Sequence, residues 1–321
     1  MEKLNAHMID SAAMYLEGEL EQMMPDVLRQ EYANLWAEEA LYFPAPMPLD
    51  YGTTELTFEL IESVGKARET DDYGDDIPLV STGIAEERYN VYHFDLGMQY
   101  NIVQLARDAK AGRSLNAEKM IAVDRGLRER VHQQLVFGDR RRGGAGLFNN
   151  PNVPVIATGY NPTTATWRQH LDFFTGILTD IEVDSFLTKG TDFIFIPKRL
   201  QQYLVNTYQS NDSGLNAMEA IIKSTQQALG NNALQGLVAV NECSAPLLER
   251  FGVKNPGEDL DRIVFMPSDS SVIKHARYAT TTMEPERRAK NFKVLSYNGT
   301  SEMIITAPNE LRYVDIPTLT P

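Results

Sequence analysis

Apolar residues recur between positions 116 and 138 at Met120, Val123, Leu127, Val131 and Leu135, in steps of three and four. That is the period of a helix burying one face. Asn116 can cap this helix and Gly138 can end it. Asp124, Arg125, Arg128, Glu129 and Arg130 fall on the opposite face. At 1.5 Å per residue the element is about 35 Å long, a spine with no catalytic group in it. Arg140, Arg141 and Arg142 follow, then a flexible turn, Gly143-Gly144-Ala145-Gly146, and the run Leu147-Phe148-Asn149-Asn150-Pro151.

Other periodicities organise the rest. Ile9, Ala12, Leu16, Leu20 and Met23 predict a helix over 6–24, and Leu28, Tyr32, Leu35 and Trp36 a second over 26–41. Pro44, Pro46 and Pro48 then force an extended path. Leu56, Phe58 and Leu60 alternate with Thr57 and Glu59, the period of a strand. A return strand is expected through Tyr89–Leu96, with Asn90, Tyr92, Phe94 and Leu96 on one side. The tip of this long hairpin carries Asp71, Asp72, Asp75 and Asp76. A short helix is expected around 99–111.

Beyond the spine, Trp167, Leu171, Phe174, Leu178 and Ile181 form another helical stripe. Strands at 192–196, 237–240 and 263–266 alternate with helices at 198–208 and 215–229, which suggests a compact α/β-like domain over 163–285. The tail reads as strands at 292–297, 303–306 and 311–314, with Asn298-Gly299 as a hairpin signal.

Charge sharpens this picture. The net charge of −14 is concentrated at the front. Residues 1–90 hold 20 acidic and 5 basic side chains, and 91–321 hold 24 and 25. Within 107–142 there are ten basic residues against five acidic ones. An acidic chain lacks the concentrated basic surface of a nucleic-acid reader. The asymmetry suits pairing between parts or between subunits. No apolar run reaches the roughly 18 residues of a membrane span, and none follows Met1 as a signal peptide would. One cysteine, Cys243, excludes an internal disulfide and a cysteine-cluster metal site, and fits a reducing cytoplasm.

Candidate chemistry is thin. Gly138-x-x-x-x-Gly143-Gly144-Ala145 lacks the Lys and Ser/Thr of a phosphate loop and follows a helix C-terminus, where the dipole is wrong for an anion. The five histidines, His7, His93, His132, His170 and His275, show no zinc-helix spacing, and His132 reads as a surface or interface residue. The 71–76 acidic cluster lacks the residue order of a calcium loop. Cys243 with His275 could be a nucleophile and its base. The plainer reading is an inert core thiol. No catalytic, cofactor-binding or metal-binding residue is therefore assigned.

The order of elements says more. The glycine-bounded exit Gly138-Asp139 with Gly146-Leu147-Phe148-Asn149-Asn150-Pro151, and the ending Met303-Ile304-Ile305-Thr306-Ala307-Pro308 with Leu311-Arg312-Tyr313-Val314-Asp315-Ile316, resemble tailed-bacteriophage major capsid proteins of the HK97-like fold, which encapsulin shells share. The resemblance covers nearly the whole chain. It implies an α+β fold with an N-terminal arm (1–50), an extended β-hairpin E-loop (51–97), a P-domain (98–162 and 286–321) around the spine helix, and an α/β A-domain (163–285). It implies an icosahedral shell of hexamers and pentamers enclosing a phage genome without sequence-specific DNA binding, assembled in the host cytoplasm. Portal, scaffolding or decoration proteins would be further partners. In the family the E-loop lies across a neighbour's spine region. The expected intersubunit contacts are therefore Asp71, Asp72, Asp75 and Asp76 of one copy with Arg125, Arg128, Arg130, Arg140, Arg141 and Arg142 of the next. Some members cross-link an E-loop lysine. Lys66 is the sole candidate here, and no partner glutamate can be matched, so no cross-link is expected. The alternatives are an encapsulin-like compartment, or an enzyme with a site in 163–285.

Overall fold

The computed structural model describes residues 35–36, 42–64, 81–103, 115–185, 190–209, 214–229 and 234–319. The acidic tip at 71–76, Lys66 and nearly all of the two N-terminal helices lie outside the described residues. The expected spine is present as helix α1, Leu115–Phe137. Val123, Leu127, Val131 and Leu135 are buried as the periodicity requires, but Met120 is half exposed, so the buried stripe starts one turn later. Asn116 lies inside the helix and does not cap it. Gly138, at φ +69°, ends it; that left-handed conformation is one that glycine adopts without a Cβ penalty.

Two sheets flank α1. In the first, strands β1 (Met47–Pro48), β2 (Glu55–Val64), β3 (Ser81–Asn101), β9 (Ala276–Thr282) and β11 (Asn291–Ser301) lie in the order β1-β9-β11-β3-β2, and β10 (Glu286–Arg288) adds to β11. Residues 99–101, expected to begin a helix, continue β3 instead, paired with Asn291–Lys293. The second sheet is mixed, in the order β4 (Val155–Ala157), β13 (Arg312–Pro317), β7 (Leu260–Met266), β5 (Phe193–Pro197) and β6 (Gly236–Val240). A two-stranded ladder, β8 (Ile273–Lys274) with β12 (Ile304–Ile305), completes the strands.

The apolar run Phe193-Ile194-Phe195-Ile196 is buried on both faces, which is why it reads as continuous hydrophobicity. Ile194 and Ile196 face helices α2 (Trp167–Asp184), α3 (Lys198–Asn206) and α4 (Ala217–Leu229), in a core with Phe174, Leu200 and Ile221. Phe193 and Phe195 face the other side, toward Val131, Leu135, Leu147 and Phe148. Trp36 inserts there too, its ring 4.6 Å from Phe195. The front half of α1 packs Val123 and Leu127 against Met98, Tyr100 and Val294 of the first sheet. Its back half joins the core under the second. The spine therefore ties both sheets together.

One expectation fails in the tail. Asn298-Gly299 is no hairpin turn, because both residues lie within β11, with Asn298 fully buried. The glycine serves a close approach: a Cβ there would sit 2.7–2.8 Å from Tyr278 ring atoms, where the ladder to β9 shifts register. The sheets join strands from either side of 162/163 and 285/286. β9 pairs with β11 in the first sheet, and β13 pairs with β7 in the second.

Among the described residues no helix is long and apolar enough to cross a membrane, and no cluster of His, Cys, Asp and Glu side chains could hold a metal ion.

Candidate shell interface

β3 serves two partners in succession. Residues Val91–Ser301, Tyr92–Thr300 and onward to Asn101–Asn291 pair β3 with β11. The preceding stretch, Ser81–Asn90, pairs only with β2, from Glu55 opposite Asn90 to Val64 opposite Ser81. The hairpin therefore leaves the sheet as a two-stranded ribbon, and among the described residues neither of its outer edges is paired. Such a ribbon is marginal in water without further packing.

Its two faces differ. Leu56 and Phe58 share one face with Tyr89, and the Phe58 and Tyr89 rings meet edge-to-face at 5.9 Å. Glu55 and Glu59 share the other with Glu86 and Arg88. Glu59 stands directly opposite Glu86, a like-charge cross-strand pair that disfavours the ladder unless a cation approaches. Arg88 lies 3.6 Å from Glu86 and partly offsets it. Glu55 and Glu59 follow from the alternation around Leu56, Phe58 and Leu60, which puts them on the side opposite the apolar residues.

The base of the ribbon is fixed. Glu302, largely buried, accepts hydrogen bonds from the Asn90 side chain (2.6 Å) and the Tyr92 hydroxyl (3.1 Å). Burial, together with the nearby Glu302 charge, pushes the Tyr92 phenol up. His93 bridges the Tyr278 hydroxyl at 2.9 Å and the Thr53 carbonyl at 3.0 Å. Val91 donates its backbone N–H to Thr54 at 2.9 Å.

The expected basic landing site is distributed along the spine and its exit. Arg128 is exposed and Arg125 is half-buried. Arg130 lies over the Phe94 ring at 5.3 Å and 4.0 Å from Asp139. Arg140–Arg142 form a short 3-10 turn, in which the Asp139 carboxylate accepts the Arg141 backbone N–H. The exposed Arg142 lies over Tyr92 at 5.7 Å. Thus Arg130 and Arg142 brace their own chain's hairpin base, through Phe94 and Tyr92. The four expected acidic partners, Asp71, Asp72, Asp75 and Asp76, lie outside the described residues.

The glycine-rich exit is packed, contrary to the expectation of a flexible turn. Gly144 and Gly146 are buried. Leu147 and Phe148 donate backbone hydrogen bonds to Leu135 and Val136 at 2.8 and 2.9 Å, satisfying carbonyls at the helix end. Asn149 accepts from Gly146 N–H at 2.6 Å and donates to the Phe137 carbonyl at 2.7 Å. The Leu147-Phe148-Asn149-Asn150 run is thus a clamp on the spine's C-terminus.

The enzyme candidates change character too. Cys243 is fully buried, and burial, reinforced by the charges of Glu242 and Asp261, pushes its thiol well up. Burial and Arg277 bring His275 down to about 4. A thiol held protonated beside no described route to solvent is core material. His132 is buried, contrary to the surface expectation, and meets Glu242 at 3.1 Å and the Trp36 ring edge-on at 5.5 Å.

The family model for major capsid proteins matches residues 65–316. A search of curated proteins finds no match. Among solved structures, the capsid of Myoviridae phage XM1 is similar with a TM-score of 0.73 at 14% identity, over 94% of this chain and 97% of that one. A structure from Mycobacterium phage Ogopogo gives 0.59 at 10% identity, over 92% and 96%. One from Gordonia phage Cozz gives 0.59 at 8%, over 93% and 91%. At such identities the likeness carries the fold.

Proposed function

The chain belongs to the major capsid protein family, and we propose that each copy closes the shell by laying its β2–β3 ribbon across the spine-helix side of the next. The family makes the chain a structural, shell-forming component of a virion capsid, with an HK97-like α+β fold. It favours a viral shell over an enzyme-carrying compartment. The finer assignments are our reading. The ribbon is the E-loop and 1–50 the N-terminal arm. The sheet of β3, β9 and β11, with α1, is the body of the P-domain, and the second sheet with α2–α4 is the A-domain. Hexamers and pentamers form in the host cytoplasm and enclose DNA, with a portal, scaffold or decoration protein as further partners.

One observation carries the docking reading. Beyond Leu56, which packs against Leu49, Val91 and Ala276 of its own chain, the ribbon presents half-buried Phe58 and Tyr89 on one face and exposed Glu55, Glu59 and Glu86 on the other. Exposed ion pairs are worth about 0–1 kcal/mol each. The tip carboxylates at 71–76 and the arginines of the spine and its exit, Arg125, Arg128 and Arg140–Arg142, would therefore set register and encounter rate. Burial of Phe58 and Tyr89 on the neighbour supplies the affinity, multiplied over the many contacts of a shell.

The test replaces residues 57–88 with an Asn-Gly turn, and separately makes Phe58→Glu, a substitution on the open ribbon. Phe58→Glu should keep the wild-type circular dichroism, the shortened chain should lose only the signal of the ribbon's strands, and both should unfold cooperatively. Neither should give shells by electron microscopy or light scattering under conditions where wild type does. Normal shells from either chain would overturn the reading.

A further inference from the structure

The face of the first sheet turned away from α1 carries a cluster of aromatic side chains. Met98 and Val294 pack against the helix, so His93 and Tyr297, each an odd number of residues away along its strand, point the other way. Tyr278 of β9 and Tyr51, in the turn before β2, join them. The Tyr51 and Tyr297 ring centroids lie 4.7 Å apart, with the planes tilted by 47°. Tyr278 stands farther off, 6.0 Å from Tyr51 and 6.2 Å from Tyr297.

Each ring's place is fixed by its neighbours. The Thr53 carbonyl can only accept, so in the neutral imidazole of His93 it is Nε2 that carries the proton, donated there at 3.0 Å. Nδ1 then accepts the Tyr278 hydroxyl at 2.9 Å. Burial, together with the nearby charge of Asp95, pushes the Tyr278 phenol up to about 12, which keeps it a donor. One imidazole thus ties the turn that carries Tyr51 to the strand that carries Tyr278. Thr53 N–H closes that turn on the Asp50 carbonyl at 3.3 Å. Tyr51 itself is 66% exposed, open to a dissolved reagent.

We propose that Tyr51 and Tyr297 form an oxidative coupling site, at which hydrogen peroxide and a one-electron catalyst of the haem peroxidase class join the two rings within one chain. Each phenol gives up one electron and its hydroxyl proton, and the two phenoxyl radicals couple through ring carbons ortho to the oxygens. One C–C bond forms, the two ortho hydrogens move to the oxygens to restore both phenols, and the two electrons and two protons reduce one peroxide to two waters. The bond ties the root of the ribbon to β11, the middle strand of its own sheet. It closes a loop of about 250 residues in the unfolded chain, which stabilises the fold as a disulfide would. The site stands on contacts within one chain and does not depend on how copies assemble.

The test treats the full-length chain, below its assembly concentration, with hydrogen peroxide and a haem peroxidase. Wild type should gain the blue fluorescence of dityrosine while still migrating as a single chain in a denaturing gel. The chain has 14 tyrosines, so mass spectrometry of a digest must identify the pair. The peptides holding Tyr51 and Tyr297 should be found joined and lighter by two hydrogens. Tyr51→Phe and Tyr297→Phe, which keep both rings and hence the packing, should each lose most of the fluorescence and all of that joined peptide. The urea midpoint of wild type should rise after treatment, while those of the two variants stay in place. Fluorescence that persists in both variants, a main product joining other tyrosines or two chains, or no coupling in wild type overturns the proposal. Coupling at this pair with an unmoved midpoint would overturn the locking of the ribbon's root.

Discussion

Gly146→Ala should cost about 3 kcal/mol or more of folding stability, at the upper end of overpacking effects, because backbone and not side chains must give way. A Cβ at this position would fall 2.6 Å from the Phe137 carbonyl carbon, and closer still to Gly138 N and Val136 O. Those atoms belong to the last turn of α1, which Leu147 and Phe148 already hold through hydrogen bonds at 2.8 and 2.9 Å. Moving the exit outward would pull two fully buried side chains, Leu147 and Phe148, from the core. Gly143→Ala is the internal control. Gly143 has φ +74° with nothing within 4 Å of its added Cβ, so only the left-handed backbone is strained, about 1–2 kcal/mol. Urea denaturation of the unassembled chain, monitored by tryptophan fluorescence, compares the two. Equal losses would mean that the exit is a loose connector after all.

That contrast shows what the sequence made legible. Periodicity found α1 and α2, because each has one face against the core and one toward solvent, and β2, whose Leu56 and Phe58 side is half-buried while its Glu55 and Glu59 side is exposed. It placed Val123, Leu127, Val131 and Leu135 correctly and Met120 wrongly. The front turn of α1 lines an open hollow with Met98, Thr280 and Thr282 that leaves Met120 exposed, and no periodicity records where packing stops. Composition misread the glycines. A run of Gly143, Gly144 and Gly146 looks flexible on paper, yet Gly144 and Gly146 are there to let backbone touch Tyr92 and the helix end. Asn298-Gly299 failed for the same reason, since Gly299 makes room for the Tyr278 ring. The shell interface was half visible. Local charge counts found the acidic front and the basic spine. They could not say that Arg130 and Arg142 turn back onto Phe94 and Tyr92. Those facts depend on where the hairpin base is held, and that is set by contacts distant in sequence, such as Asn90 with Glu302.

Asp315→Ala should be the most destabilising single substitution, by about 3–5 kcal/mol, the range for removing one partner of a buried ion pair. Arg262 faces Asp315 across the β7–β13 ladder and donates to it through Nε at 2.8 Å and Nη2 at 3.1 Å. Lys254 binds the same carboxylate. Both Arg262 and Asp315 are nearly inaccessible to solvent. Arg262 also donates to the Phe148 carbonyl at 2.6 Å and lies over the Tyr313 ring at 4.7 Å, so the ion pair locks the second sheet to the clamp that ends the spine. Without Asp315 two cations remain in the interior with no counter-charge. Replacing both partners, Arg262→Met with Asp315→Leu, should cost less than Asp315→Ala alone, because no buried charge is then left unpaired. The pH dependence follows from the same contacts. Burial raises the Asp315 carboxyl, but the hydrogen bonds and charge of Arg262, then those of Lys254, outweigh it and hold the group below the usual carboxylate range. Its contribution to stability is therefore complete above the unfolded value, near 4, and is lost as pH falls through the lower folded value. Urea midpoints of wild type and Asp315→Ala should differ by a constant amount from pH 7 to 5 and converge below about pH 4. Midpoints that stay equally far apart at pH 3 and below would mean that the side chain's packing, and not its charge on Arg262, holds this junction together.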